Sequence, residues 1–542
     1  MSYDDAFGLI AEHIERSMEA WGPPAVAIVV TDREQTLWTD AFGYANVEKQ
    51  VPATTQSLFQ IGSVGKSFTA LLLMQEVEAG TVGLQRPIKD IVPWFEVHER
   101  IRPITVEDIL LHASGLPTGE EGFEPGLAEA LTMLEFEPGF APGNGFLYSN
   151  LGYKIIGFAL ERLTGQRYPD LVAERIFAPL RMASSFGEIT QALRPVTAIG
   201  YRSIFTDRPA QASHPWMEVP FPESATADGC ISSTIEDMAR YVRVFANNGA
   251  YPDGQIISPA SFEIMTRGQN TDPETGDKLG FGIWTTERLG RPILEHTGGM
   301  IAHRTHMAID PETGIGLVML GSGAEVHRLA EYALQVLGDV ATASPLRAIP
   351  GVDAREIPKA EDFRGRWRGG QRELTLTPEG VGLIAEADGE RVAAELREDD
   401  ILLLPMPGWD LFLLRASRDP ATRQVVSLTH GPDRFFTAGA EGYVAAPTQA
   451  LEPMVGHYRS WSPWTFDVRV FQREGKLFMQ VIDGSNDPGD AEYELVELPG
   501  QRTFGVGADD WLPDRIRFER PIDGKTQIAY FMNAAYGRLP SP

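Results

Sequence analysis

The sequence predicts a mixed α/β chain of the α+β kind, with one antiparallel sheet flanked by helices and then two small antiparallel β-barrel domains. Three observations carry this. Residues 25–30 and 35–44 read as one hairpin and residues 305–309 and 315–320 as another, with helical patterns between them. A single sheet is therefore completed by both ends of the first domain. Beyond residue 358 helical periodicity gives way to short alternating strands broken by Gly and Asp turns. That β-rich part also repeats. Phe363-Arg364-Gly365-Arg366-Trp367 is echoed by Val455-Gly456-His457-Tyr458-Arg459, and Glu379-Gly380-Val381-Gly382-Leu383 by Glu474-Gly475-Lys476-Leu477-Phe478. Both echoes fall roughly 90 residues on, the size of a small β module. The expected division is a first domain at 1–340, a linker rich in Ala, Pro and Ser at 341–358, and β modules at 359–449 and 450–542.

The totals agree with several domains, since 542 residues exceed what one hydrophobic core organises. An apolar fraction of 43% supports globular packing, and a net charge of −28 argues against nucleic acid or anionic membrane as partner. The single cysteine, Cys230, cannot form an internal disulfide, which fits a reducing compartment. Met1-Ser2-Tyr3-Asp4-Asp5 is acidic where a secretory signal needs a basic start, and no stretch has the length of a membrane span. The expectation is a cytoplasmic protein.

In chain order, Phe7, Ile10, Ile14 and Met18 have the spacing of an amphipathic helix, stopped by Pro23-Pro24. Residues 105–111 read as a short helix capped by Thr105, ending at His112, which reads as a hydrogen-bonded structural histidine. Tyr148-Ser149-Asn150 lies on a loop before an apolar helix to Leu163, so Tyr148 and Asn150 can aim at one cavity. The stretch Asp228-Gly229-Cys230-Ile231-Ser232-Ser233-Thr234 caps an amphipathic helix through Phe245. Residues 279–285 and 292–295 read as strands approaching His296-Thr297-Gly298-Gly299, and a helix from Glu325 to Leu337 closes the domain.

The stretch from Phe59 to Leu73 carries the chemistry. An extended run ends in Gly62, Ser63 and Lys66 follow three apart, and an apolar helical pattern runs on to Gly80. If Ser63 opens that helix, unpaired N–H groups and the dipole favour an anionic oxygen there, with Lys66 one turn on. An ammonium held in a partly dry pocket against the hydroxyl can lose its proton more readily and relay one. Alone, the pattern also describes a helix N-cap followed by a solvated lysine. Gly62 and Gly65 keep bulk away from Ser63, and the apolar run after Ser67 leaves Lys66 little water to reach.

Taken together, Ser63-Val64-Gly65-Lys66, Tyr148-Ser149-Asn150 and His296-Thr297-Gly298-Gly299 resemble the three motifs of the penicillin-recognising serine hydrolases. The resemblance covers residues 5–340 and is to the branch holding class C β-lactamases, D-alanyl-D-alanine carboxypeptidases, D-aminopeptidases and related esterases. It implies a β-lactamase-like catalytic domain with Ser63 as acylated nucleophile and Lys66 as its partner in proton transfer. It implies Tyr148 as general base, its phenolate supported by the neighbouring lysine, and Asn150 holding Lys66 or a substrate amide. Thr297 and Gly298 then border the substrate on an edge strand, and the N–H groups of Ser63 and Gly299 form an oxyanion hole.

His296 stands where many relatives carry lysine. A mostly neutral imidazole attracts a substrate carboxylate weakly. This lowers β-lactamase and carboxypeptidase and raises aminopeptidase, amidase or esterase; the leading reading is an aminopeptidase or amidase on short peptides or amino-acid amides, with D configuration left open. The alternative is a carboxylesterase or acyltransferase, and a non-catalytic binding protein is the reading from another class. His296 is expected to hydrogen-bond Tyr148 or substrate. The trailing β modules resemble those of D-aminopeptidase, where they border the active site. No cofactor is implied, and His303 and His306, an odd number apart on a strand, face opposite ways and cannot share a metal. Arg304 reads as an exposed strand arginine. The expected partner is a small molecule or short peptide, and a homodimer is compatible with the sequence.

Overall fold

The computed structural model describes residues 2–540 except 23, 96, 98–101, 120–126, 128–129, 132–138, 212, 289, 324–325, 438–446, 461–466, 483–491, 500–501, 508–513 and 532–533. Pro23 and Glu325, expected as a helix stop and a helix start, lie outside the described residues. The chain forms two compact units. The first is built on Met1–Tyr201 and Glu218–Ile349, and the second on Arg202–Met217, Pro350–Asp510 and Asp514–Pro542.

The sheet of the first unit consists of β1 (Ala25–Thr31), β2 (Thr36–Asn46), β3 (Val51–Pro52), β4 (Asn270–Thr271), β5 (Lys278–Leu279), β6 (Trp284–Arg288), β7 (Arg291–Met300), β8 (His303–Ile309) and β9 (Gly316–Ser322). Their order is β4-β5-β6-β7-β8-β9-β1-β2-β3. The two sequence hairpins meet where β1 pairs antiparallel with β9, from Ala25 opposite Ser322 to Thr31 opposite Gly316. β1 is buried along its whole length because both of its faces are covered.

On one face lie α1 (Tyr3–Trp21) and the helix Val326–Ala341, packing Phe7, Ile10 and Ile14 with Leu329, Ala333 and Val336 against Val26, Ile28 and Val30. On the other lie α2 (Gly65–Glu78), α3 (Val106–Leu110), α4 (Asn150–Thr164) and α5 (Ile235–Ala246), with Ala25, Ala27 and Val29 in the larger core. α2 is buried nearly all round, from Gly65 to Met74. Fully burying each of Leu71, Leu72 and Leu73 stabilises by about 1.5–3 kcal/mol, which holds this helix in the middle of the unit.

One expectation is corrected. Residues 279–285 are not one strand, because the chain turns at Gly280–Ile283 between β5 and β6. Gly282 has φ +63, and a Cβ there would lie 2.6 Å from Lys66 O, so the turn is fitted against the start of α2.

The second unit contains two β modules with the same opening. A short 3-10 turn (Ala360–Phe363, Glu452–Met454) precedes the first strand (Gly365–Gly369, Gly456–Arg459). A large ring then donates to a carbonyl four residues back, Trp367 Nε1 to Phe363 O at 3.0 Å and Tyr458 OH to Met454 O at 2.7 Å. The echoed Glu-Gly pairs turn the next hairpins, with Gly380 and Gly475 at positive φ. In the later module the strands close into a barrel. In the earlier one the sheet ends with Glu390–Ala393 and Glu395–Glu398, joined directly through Ala394, so the chain itself completes a barrel-like wall. Residues 202–217 are tied into this unit by Arg208 on Asp410 (2.6 Å) and Arg469 on Asp207 O (2.8 Å). Among the described residues no helix is long and apolar enough to cross a membrane.

Candidate active site

Ser63 sits where the chain changes from strand to helix. Phe59–Gln60 pairs with Ser232–Ser233, Gly62 takes φ +55, and a 3-10 turn over Gly62–Val64 leads into α2. A Cβ at Gly62 would lie 2.5 Å from Gly299 N, so only glycine lets this turn approach β7. Ser63 does not cap α2, whose start has no side-chain cap. Its Oγ instead accepts from Lys66 Nζ at 2.7 Å and from Tyr148 OH at 2.7 Å. The structure thus brings together the hydroxyl, the amine and the phenol named from the sequence.

Lys66 is fully buried because α2 has no solvent face at that point. Besides Ser63, its Nζ donates to the carbonyl of Asp228 at 2.7 Å and lies 5.0 Å from the centroid of the Tyr148 ring. Tyr148 is held from behind by its neighbours. Ser149 caps α4 by accepting from Gly152 N, and Ser149 N donates to His112 Nδ1 at 2.9 Å. The His112 ring lies 4.3 Å from that of Tyr148. Burial, then the Lys66 charge, then His296 push His112 well below the ordinary imidazole range. It is a neutral ring with its proton on Nε2. Sequence reading found a structural histidine here; that it backs Tyr148 is visible only in three dimensions.

His296 is also buried and neutral, pushed down to about 3 chiefly by burial and next by the Lys66 charge. Its Nδ1 lies 2.6 Å from Thr297 O. A carbonyl only accepts, so Nδ1 carries the proton and Nε2 is left as an acceptor. The expected bond to Tyr148 does not form, because the ring is turned to its own backbone. β6 pairs with β7 only as far as Trp284 opposite Glu295, so residues 296–300 have a strand partner, β8, on one side and Ser63 on the other. Gly298 makes this approach workable, since a Cβ there would lie 2.0 Å from Ile61 O and 3.2 Å from Ser63 N. Thr297 is exposed and Gly299 partly so.

Asn150 Nδ2 donates to Gly119 O at 3.3 Å, and the anchor that Lys66 takes is Asp228 O. Nothing in the sequence pattern marked Asp228 for that role, because a backbone carbonyl has no residue signature. Arg304, read as exposed, is half-buried, and its Nη1 lies 3.5 Å from where a Cβ on Gly299 would sit. His303 packs on Phe59, while His306 bonds Glu295 at 3.1 Å on the other face of β8. A hydroxyl within one hydrogen bond of both groups can pass its proton to the amine in its neutral form or to the phenol in its ionised form as it attacks a carbonyl carbon.

Residues 10–342 match the family model described as Beta-lactamase. Penicillin-binding protein 4 of Amycolatopsis lactamdurans is 29% identical over 306 residues, 54% of this chain and 79% of that protein. The unguisins hydrolase of Aspergillus campestris is 27% identical over 333 residues, 57% of this chain and 60% of its own length. Among solved structures, the octameric penicillin-binding protein homologue from Pyrococcus abyssi superposes with a TM-score of 0.59 at 24% identity. That match covers 80% of this chain and all of the other, and it shows a shared fold.

Proposed function

The chain belongs to the Beta-lactamase family of serine hydrolases, and from that premise we propose that it cleaves amide bonds through an acyl-enzyme on Ser63. The observation that carries this is the pair of 2.7 Å hydrogen bonds that converge on Ser63 Oγ from Lys66 and Tyr148. In the first step Oγ bonds to the substrate carbonyl carbon and its proton passes to the Tyr148–Lys66 couple. A tyrosine oxygen with an ordinary pKa near 10 is a poor base at neutral pH, and the ammonium 5.0 Å from the ring stabilises its phenolate. The carbonyl oxygen becomes an oxyanion received by the N–H groups of Ser63 and Gly299. Collapse breaks the C–N bond, and the proton returns to the leaving amine. Water then attacks the ester, Tyr148 takes its proton, and Ser63 is released.

The substrate class we propose is a short peptide or amino-acid amide, acted on as by an aminopeptidase or amidase. Neutral His296 supports it, since an uncharged ring offers no fixed cation to a carboxylate. Asn150 and Thr297 would border the scissile amide. A carboxylesterase or acyltransferase uses the same acyl-enzyme. Intact-mass analysis after a fluorophosphonate tests the chemistry, with one adduct per chain expected and none in Ser63→Ala. Aminoacyl p-nitroanilides against p-nitrophenyl esters test the class, and turnover of esters alone would replace the amidase reading.

A further inference from the structure

A second charged pair lies behind the Ser63–Lys66 couple, with no part in the steps above. Lys154 Nζ and Asp228 Oδ2 are 3.9 Å apart and both side chains are fully buried. Removing two charges from water costs as much as their attraction returns, so such a pair contributes little to stability by itself. Its location is more informative. Asp228 is the residue whose carbonyl accepts from Lys66 Nζ at 2.7 Å, and Lys154 is one turn beyond Asn150 on α4. The pair therefore links the helix that follows Tyr148 to the carbonyl that anchors Lys66.

Residues 227 and 229 pack closely against those helices. A Cβ on Gly157 of α4 would lie 2.5 Å from Ala227 Cβ, and one on Gly65 of α2 would lie 3.1 Å from Gly229 Cα. Thr69 Oγ1 also donates to Ala227 O at 2.6 Å. These contacts hold the residues on either side of Asp228, and its own side chain is tied to α4 through Lys154.

We infer that the buried Asp228–Lys154 pair is a positioning device for Lys66, aiming the Asp228 carbonyl at its Nζ and balancing charge around it. This rests on Ser63 being acylated with Lys66 as its partner. Among the described residues, groups that face Lys66 include Ser63 from the turn before α2, Tyr148 and Tyr153 from the α4 side, His112 from the end of α3 and His296 from β7. Tyr168 and Cys230 face Asp228; burial and then the Asp228 charge push Cys230 up, and for Tyr168 that charge adds a smaller upward push behind burial and Cys230. Lys154 is a buried cation 3.9 Å from the Asp228 carboxylate. Losing Lys154 leaves a net negative charge that favours the protonated Tyr148–Lys66 couple, and losing Asp228 does the reverse.

The test is the pH dependence of fluorophosphonate labelling at Ser63 in the full chain, Asp228→Asn, Lys154→Met and the double variant, with thermal melts alongside. Lys154→Met should raise the acid-side midpoint by about one pH unit and Asp228→Asn lower it by about as much. The double variant should return to the parent midpoint but label at least about tenfold more slowly, its carbonyl no longer aimed. It carries the test by itself if a single variant does not fold. Melting changes with parental midpoint and rate in every folded variant would mean a merely structural pair and overturn the inference alone. No labelling of Ser63 in the parent would overturn both the inference and the function it rests on.

Discussion

The phenol of Tyr148 donates to Ser63 Oγ across 2.7 Å although the two residues are 85 positions apart. The contact exists because a glycine turn at Gly62 presents Ser63 at the head of a buried helix, and because the Ser149 cap and the His112 ring fix the loop that carries Tyr148. Each part of that arrangement can be removed singly.

Tyr148→Phe keeps the ring on His112 and deletes the hydroxyl. We expect kcat/KM on an aminoacyl anilide to fall by about 10³-fold, with a melting temperature close to the parent's. Parental turnover would take Tyr148 out of the proton path.

Lys66→Met replaces a fully buried ammonium by an apolar chain of similar length. Labelling of Ser63 should drop by about 10³-fold, while the melting temperature holds or rises because a buried charge has gone. A large loss of stability with labelling retained would make Lys66 a structural residue.

Gly298→Ala and Gly299→Ala separate the two glycines of β7. A Cβ at Gly298 lies 2.0 Å from the Ile61 carbonyl, and backbone cannot yield as a side chain does; at Gly299 the nearest atom is Arg304 Nη1, 3.5 Å away. The first change should push β7 off Ser63 and cost about 10²-fold or more in acylation. The second should cost less. Equal losses, read from labelling rates, would contradict this account of the close approach.

Stability should fall on acidification. His296 and His303 are held at about 3 in the fold, chiefly by burial, against an ordinary value of 6.5. Between those values the unfolded chain binds protons that the folded chain does not, so their contribution is complete above about 6.5 and is lost as pH drops toward 3. Each group adds a slope of up to about 1.4 kcal/mol per pH unit. Urea midpoints from pH 7.5 to 4.5 check this, and a midpoint that stays flat or climbs with acid would oppose it.

Much of the fold was legible because its signals are local. The Thr105 cap, the capping stretch that ends at Thr234, the apolar spacing of α1 and the echoed turns of the β modules are each read over a few residues. That Ser63, Lys66 and Tyr148 come together was expected because a hydroxyl, an amine and a phenol are the side-chain types the proposed chemistry needs. What stayed hidden depends on contacts between distant segments. The carbonyl of Asp228 has no letter in the sequence, Lys154 reads as an ordinary helix lysine until burial shows its partner, and His296 turns to Thr297 O for reasons of packing. The break at Gly280–Ile283 was missed because apolar alternation there continues through a turn shaped by α2.

The most direct measurement is a rapid-quench reaction of the full chain with an activated aminoacyl p-nitrophenyl ester, following p-nitrophenol release and mapping the acylated peptide by mass spectrometry. A burst of one p-nitrophenol per chain is expected, with the acyl group on Ser63 and absent in Ser63→Ala. Turnover without a burst and without an adduct, or an adduct on another residue, would contradict it.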